Sequence, residues 1–197
     1  MRGYGKTNFV KEFTQDSTPL FIIDIRNEYS HIKAFNDMRQ FQIYICNRSY
    51  FKTKFGNNKE QWRFAFSTLN EYQQLIKLMN YFQRCCIIVD EADSLFQTKK
   101  LEDSLMNLLL GSRNNKVDLI FNTKRPFLIP IAVRSQCDEY FIFRTKEKRD
   151  IDYLQDRLNT TFPKSPFDLK RGECVHIEGD KEPTVLQIPL FKGEVPK

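Results

Sequence analysis

The sequence predicts an α/β fold: a mainly parallel sheet flanked by helices. Three observations carry that expectation. Continuous apolar runs bounded by turn residues recur along the chain, as in "LFIID" and "CCIIVD", the look of strands buried on both faces. Between them, apolar residues fall three and four apart, the spacing of amphipathic helices. The length, 197 residues, suits one domain that can bury a core across five or more strands.

Taken in order, the chain opens with a short helix over Thr7–Phe13. "TPLFIIDI" (Thr18–Ile25), introduced by a proline, predicts a buried parallel strand. "QIYICN" (Gln42–Asn47) and "QWRFAFS" (Gln61–Ser67) are strand-like and are joined by a basic, aromatic connector, so residues 41–67 are expected to form a strand-hairpin insertion. Leu69, Tyr72, Leu75, Ile76, Met79 and Phe82 place a helix over Leu69–Phe82. "CCIIVDEAD" is another buried strand, ending in acids. Leu101, Leu105, Leu108 and Leu109 mark a second helix, which Gly111 is expected to close. "VDLIFNT" and "EYFIFR" (Glu139–Arg144) are two further buried strands, and Ile151, Leu154 and Leu158 mark a last helix. "GECVHIEG" and "TVLQIPL" predict a C-terminal β-hairpin over residues 173–189, turning across Asp180–Pro183. No internal repeat or low-complexity segment interrupts this order, and residues 1–197 are expected to be a single domain.

Composition narrows the functional classes. Charged residues make up 28% and apolar ones 41%, ordinary for a globular protein, and the 18 phenylalanines favour a well-packed core. A net charge of +6, dispersed rather than in blocks, permits a polyanionic partner without requiring one. Five cysteines without C-x-x-C spacing and two histidines speak against a zinc cluster, and Cys85 and Cys86 are expected as buried thiols. No apolar stretch approaches a membrane span, no signal peptide is recognisable, and no membrane partner is expected. The expected compartment is the cytoplasm, or a host cell's cytoplasm if the source is a virus.

The chemistry-bearing residues lie in two places. "MRGYGKTNFV" contains Gly5, Lys6 and Thr7, the end of a phosphate-binding loop G-x-x-x-x-G-K-[ST]. Such a P-loop surrounds phosphates with backbone N–H groups and a helix N-terminus, while its lysine neutralises the outer phosphates and the next hydroxyl holds Mg²⁺. Gly3 adds backbone freedom. A Gly-Lys-Thr tripeptide alone is weak evidence. The second place strengthens it: the hydrophobic strand Ile87–Val89 is followed by Asp90 and Glu91. An acid ending a buried strand can hold Mg²⁺, and the next can polarise an attacking water. A capped strand-to-helix turn would also use such residues. With both halves present, the expected cofactors are ATP and Mg²⁺, with Gly3, Gly5, Lys6 and Thr7 on the nucleotide, Thr7 and Asp90 on the metal, and Glu91 on the water. "DEAD" (Asp90–Asp93) does not signal a helicase, which needs two such domains and a second-domain arginine motif.

The loop pattern also carries an expectation about its own front half. Its first glycine would fall immediately before Met1, and the strand that leads into it further back. Met1 is therefore expected to be an internal methionine of the loop, the chain to be N-terminally shortened, and the sheet to lack its first strand.

"LFIIDIRNEYS", "CCIIVDEAD", "GSRNNKVDLIFNTKRP" and "IPIAVRSQCDEYFIFRTKEKRDIDYLQDRL" together resemble the ATPase domain of the HerA/FtsK superfamily. The likeness is to compact single-domain members such as viral and phage DNA-packaging ATPases and HerA-like DNA translocases. It runs in order from Gly3 to about Leu158. Its more specific parts are the Asp24, Glu28, Tyr29 spacing and the Arg125-Pro126 followed by Arg134-Ser135-Gln136. The resemblance implies a RecA/ASCE-like P-loop NTPase fold and a ring, usually a hexamer, that hydrolyses ATP between subunits and moves duplex DNA through its pore. Lys6 and Thr7 match the phosphate and Mg²⁺ ligands, Asp90 the metal-coordinating acid and Glu91 the general base. Arg113 matches an arginine finger reaching into the neighbouring site, against a plain surface arginine, and Arg134 is the rival candidate. Asp24 and Glu28 match a family signature, with strand-end capping as the other reading. One departure stands out: Lys124 in "NTKRP" occupies the place where the family usually carries a glutamine that senses the γ-phosphate. Lysine donates to phosphate but cannot orient water as an amide can, so slow hydrolysis is a live alternative.

Two functions follow. The leading one is an ATP-driven motor that translocates or packages duplex DNA. Its competitor is a nucleotide-binding assembly or regulatory protein with little turnover. Arg48, Lys52, Lys54 and Lys59 are candidate phosphate contacts, against a solvated hairpin surface.

Overall fold

The computed structural model describes residues 5–17, 19–47, 63–66, 72–96 and 103–188. They fall into two compact units, one comprising residues 16–95 and 103–122, the other residues 5–15, 96 and 123–188.

The first unit is built on five strands: β1 (Leu20–Ile23), β2 (Lys33–Phe35), β3 (Arg63–Phe66), β4 (Cys86–Val89) and β5 (Asp118–Phe121). Their order is β2-β3-β1-β4-β5, and every neighbouring pair is parallel. The central strands β1 and β4 are buried along their whole length, as continuous apolar runs require. β5 is an edge strand and grades from exposed to half-buried. Register decides what happens at one end of this sheet. Ile23 pairs with Phe66 on one side and Val89 on the other, and Val89 pairs with Phe121. Asp24 N–H then donates to Phe66 O, Asp90 N–H to Ile23 O and Asn122 N–H to Val89 O. The ladder thus continues one residue past each strand, which brings Asp24, Asp90 and Asn122 together.

Helices α2 (Met38–Asn47), α3 (Tyr72–Met79), α4 (Ala92–Leu95) and α5 (Asp103–Asn115) complete this unit. The core beside β1 and β3 is phenylalanine on phenylalanine: Phe41 is fully buried, with its ring centroid 5.2 Å from Phe35, 5.3 Å from Phe64 and 4.7 Å from Phe66. Asn80 Nδ2 donates to Ile76 O and Ser104 O, tying the end of α3 to α5.

Three local expectations change here. "QIYICN" is not a strand but the body of α2. Asp37 Oδ1 accepts from the N–H groups of Arg39 (2.6 Å) and Gln40 (3.1 Å), an N-cap that starts a helix. Met38 and Phe41, three apart, then bury one helical face, and cap and burial together override the β-branched run that follows. Gly111 does not close α5, which runs on to Asn115; Lys116, at φ 54°, takes the left-handed closing position. Its N–H reaches Arg113 O while Val117 N–H reaches Ser112 O, so the last carbonyls are satisfied without glycine. The third change concerns "EYFIFR". Its strand, β6 (Glu139–Phe143), joins a separate antiparallel sheet with β7 (Glu173–Glu178) and β8 (Thr184–Gln187), in the order β6-β7-β8. β7 runs back along it from Glu178 opposite Glu139 to Cys174 opposite Phe143 and takes its ladder.

The second unit holds that sheet together with α1 (Lys6–Phe13), a 3-10 turn at Pro126–Leu128, α6 (Ile131–Arg134) and α7 (Lys148–Leu158). The expected C-terminal hairpin is present as β7 and β8. Ile142, Leu154, Phe162, Leu169, Val175 and Ile177 form its core. α1 is seated on β6 by Phe9, whose ring lies 4.6 Å from Phe141 and 5.7 Å from Phe143. Cys85, Cys86 and Cys174 are buried free thiols, and burial pushes Cys85 up to about 12. Among the described residues no helix is long and apolar enough to cross a membrane. The connector with Arg48, Lys52, Lys54 and Lys59 lies outside the described residues, as do Leu69 and Leu101.

Candidate nucleotide-binding and hydrolysis site

The loop residues belong to the second unit. Gly5 sits at the N-terminus of α1 with φ 108°, a conformation that strains any residue carrying a Cβ. Its carbonyl accepts from Phe9 N–H at 2.8 Å, the first turn of the helix. Gly5 brings no side-chain cap, and no acid stands in the first turn of α1. The opening N–H groups therefore meet no competing carboxylate from their own helix, and this donor set fits a phosphate. Lys6 Nζ donates to Thr123 O at 2.6 Å. That bond connects the loop lysine to the stretch carrying the expected sensor, since Lys124 follows directly and is exposed. The same stretch is pinned by Arg125, whose N–H donates to Thr123 Oγ1 and whose guanidinium pairs with Glu147 and the buried Asp150. Thr7 is half-buried in the first turn of α1. Gly3 lies outside the described residues.

The acids belong to the first unit. Asp90, one residue past β4, is 2% exposed. Asn122, one residue past the neighbouring β5, donates from Nδ2 to Asp90 Oδ1 at 2.5 Å. Burial pushes the Asp90 carboxyl up to about 6, with Asn122 holding it down and Glu28, Asp24 and Glu91 adding to the rise. A buried carboxylate among other acids is an environment that a divalent cation relieves, so the residues present fit Mg²⁺. Glu91 follows at φ 52°, left-handed for a non-glycine residue, and is 7% exposed. The turn is held by Ala92 N–H on Asn122 O and Ser94 N–H on Glu91 O, both 2.8 Å. Its carboxylate pairs with Arg26, Oε2 to Nη2 at 3.2 Å.

Asp24 is a cap in this structure. Its two oxygens accept from the N–H groups of Glu28 and Tyr29, each at 2.9 Å, closing the turn after β1. Beside these acids, burial and the charges of Asp90, Asp24 and Glu28 raise the Tyr29 hydroxyl's pKa. Arg113 is exposed on the last turn of α5. Arg134 is engaged within its own unit: Nε donates to Ile129 O at 2.8 Å, and the guanidinium lies 4.4 Å from the centroid of the Tyr153 ring. Burial and the nearby Arg157 lower its pKa. Sequence reasoning missed Asn122 and Arg26. Asn122 could have been found as the first polar residue after the strand beside β4, whereas Arg26 carries no local signal.

The sequence pattern of the ATPase family associated with various cellular activities (AAA) matches residues 1–145. The chain belongs to that family. It is a P-loop enzyme that binds and hydrolyses ATP. No curated protein sequence matches it significantly. Among solved structures, this AAA ATPase is similar to the genome packaging NTPase B204 from Sulfolobus turreted icosahedral virus 2. With AMPPCP bound, B204 gives a TM-score of 0.68 at 17% identity over 96% of this chain and 94% of that one. Its AMP complex gives 0.70 at 15% identity, again over 96% and 94%. The pCW3 conjugation coupling protein TcpA with ATPgS gives 0.63 at 11% identity, over 96% of this chain and 58% of that one. At such identities the likeness is one of fold.

Proposed function

We propose that this ATPase is a ring motor, of six subunits, that translocates or packages duplex DNA, with residues 1–197 as one ATPase domain. The observation that carries the catalytic part is the pair of consecutive acids ending β4. Asp90 is buried on Asn122, and Glu91 is turned out of the strand by its left-handed backbone. Lys6 and the N–H groups opening α1 hold the phosphates. Thr7 and Asp90 would hold Mg²⁺, which when bound would neutralise phosphate charge. Glu91 takes the proton of the attacking water, Lys124 donates to the γ-phosphate, and Arg113 reaches the site of the next subunit.

Support for DNA comes from two directions. The similar folds are those of a viral genome packaging NTPase and a conjugation coupling protein. The chain's own net charge of +6 suits a polyanion. Lys124, standing where an amide would orient water, favours a second reading: an assembly or regulatory protein that binds ATP and turns it over slowly. The rate of ATP hydrolysis with and without duplex DNA separates the two. The motor reading expects stimulation of several-fold that fades as salt rises, and a rate indifferent to DNA supports the second reading.

A further inference from the structure

We propose that Asp150 is a positioning residue for Lys124, which it sets against the γ-phosphate by holding residues 125–127. The proposal rests on Lys124 donating to that phosphate. Lys124 stands between two fixed points. Before it, Thr123 O accepts from Lys6 Nζ at 2.6 Å. After it, Arg125 and Phe127 are both tied to Asp150, in the first turn of α7. Phe127 N–H donates to Asp150 Oδ1 at 3.3 Å, and Arg125 Nη1 lies 3.5 Å from Oδ2. The Phe127 ring is held on the same helix. The Arg149 guanidinium lies 3.8 Å from its centroid, and Tyr153 packs edge-on at 5.3 Å. Backbone, charge and ring thus fasten the residues after Lys124 to α7.

The charges single out Asp150 among these contacts. A helix N-terminus disfavours a cation, yet the Arg125 guanidinium comes to the start of α7, where Glu147 and Asp150 meet it. Glu147 makes no side-chain capping bond at its N-cap position and instead lies 3.4 Å from Arg125 Nη1. The two acids are unequal. The Glu147 side chain is 59% exposed, so water screens its pair, whereas that of Asp150 is 3% exposed. The buried Asp150 Oδ2 accepts no hydrogen bond, which leaves the Arg125 charge to compensate it. Without that cation the carboxylate would be buried and unpaired, a strongly destabilising state. The pair therefore keeps Arg125, and the residue before it, in one place. Lysine carries its ammonium on a flexible four-carbon stem, so its reach depends on where the backbone beneath is held. Displacing a reacting group by about 1 Å can cost on the order of a hundredfold in rate.

The test measures steady-state kinetics and thermal melting of the full chain, of Asp150→Asn, Arg125→Gln and their combination, and of Asp150→Asn in a Lys124→Ala background. Asp150→Asn keeps an acceptor for Phe127 N–H and removes the charge. It should lower kcat about tenfold, with KM for ATP unchanged. Arg125→Gln should lower kcat by a similar factor and the melting temperature by more, because it strands the Asp150 charge. The combination should cost no more kcat than either change alone. In the Lys124→Ala background, Asp150→Asn should cost nothing further. A parent-like kcat in Asp150→Asn, whatever its melt, overturns the proposal while leaving Lys124 on the phosphate. So does a raised KM in place of a lowered kcat, or a further fall in the Lys124→Ala background. If Asp150→Asn fails to fold, Arg125→Lys decides, since it keeps charge but not the planar fork: a lowered kcat supports the proposal and a parent-like one overturns it. Parent-rate turnover by Lys124→Ala alone removes the phosphate contact, and the proposal with it.

Discussion

Glu91→Gln is expected to bind ATP as tightly as the parent and to hydrolyse it about a hundredfold to ten-thousandfold more slowly. A positioned general base contributes roughly that range, and the amide keeps the shape while losing the proton acceptor. Asp90, held separately by Asn122, stays in place, so nucleotide affinity has no reason to fall. The Arg26 pair loses its charge partner, but Glu91 is anchored through its backbone turn, and folding should survive. Fluorescent-nucleotide titration beside a phosphate-release assay checks both halves. Parent-rate turnover would remove Glu91 from the mechanism.

Arg113→Ala is expected to have an effect of comparable size, about a thousandfold on kcat, because an arginine supplied in trans stabilises transition-state charge on that scale. The residue is exposed on the last turn of α5, where it can serve a neighbour. A finger in trans makes activity depend on assembly, so the parent's activity per subunit should rise with protein concentration. Mixing Arg113→Ala with Glu91→Gln subunits should restore part of the activity, since some interfaces then pair an intact finger with an intact base. Assembled mixed rings that stay inactive would place Arg113 outside the neighbouring site.

How much of this was legible in the sequence depends on how far each signal reaches along the chain. The runs "LFII" and "CIIV" need only their own neighbours to declare a buried parallel strand, and both do so. Asp90 and Glu91 were visible because they end such a run. The helix at "QIYICN" was hidden because its cause lies upstream, in Asp37 and the buried Met38 and Phe41. Gly111 misled for the opposite reason: glycine commonly ends helices, yet Lys116 accepted the left-handed conformation here and the helix ran past it. Asn122 and Arg26 depend on strand order. Only when β4 lies between β1 and β5 do they converge on Asp90 and Glu91, and no local pattern encodes that adjacency.

A triplex-displacement assay tests the motor reading most directly. A third strand is annealed to duplex DNA, and its release by the full chain is followed with ATP, without ATP, and with Glu91→Gln. Translocation along the duplex predicts release with ATP only, and none with Glu91→Gln even when that protein is saturated with nucleotide. An assembled protein that hydrolyses ATP on this duplex and leaves the third strand in place would contradict a DNA-translocating motor.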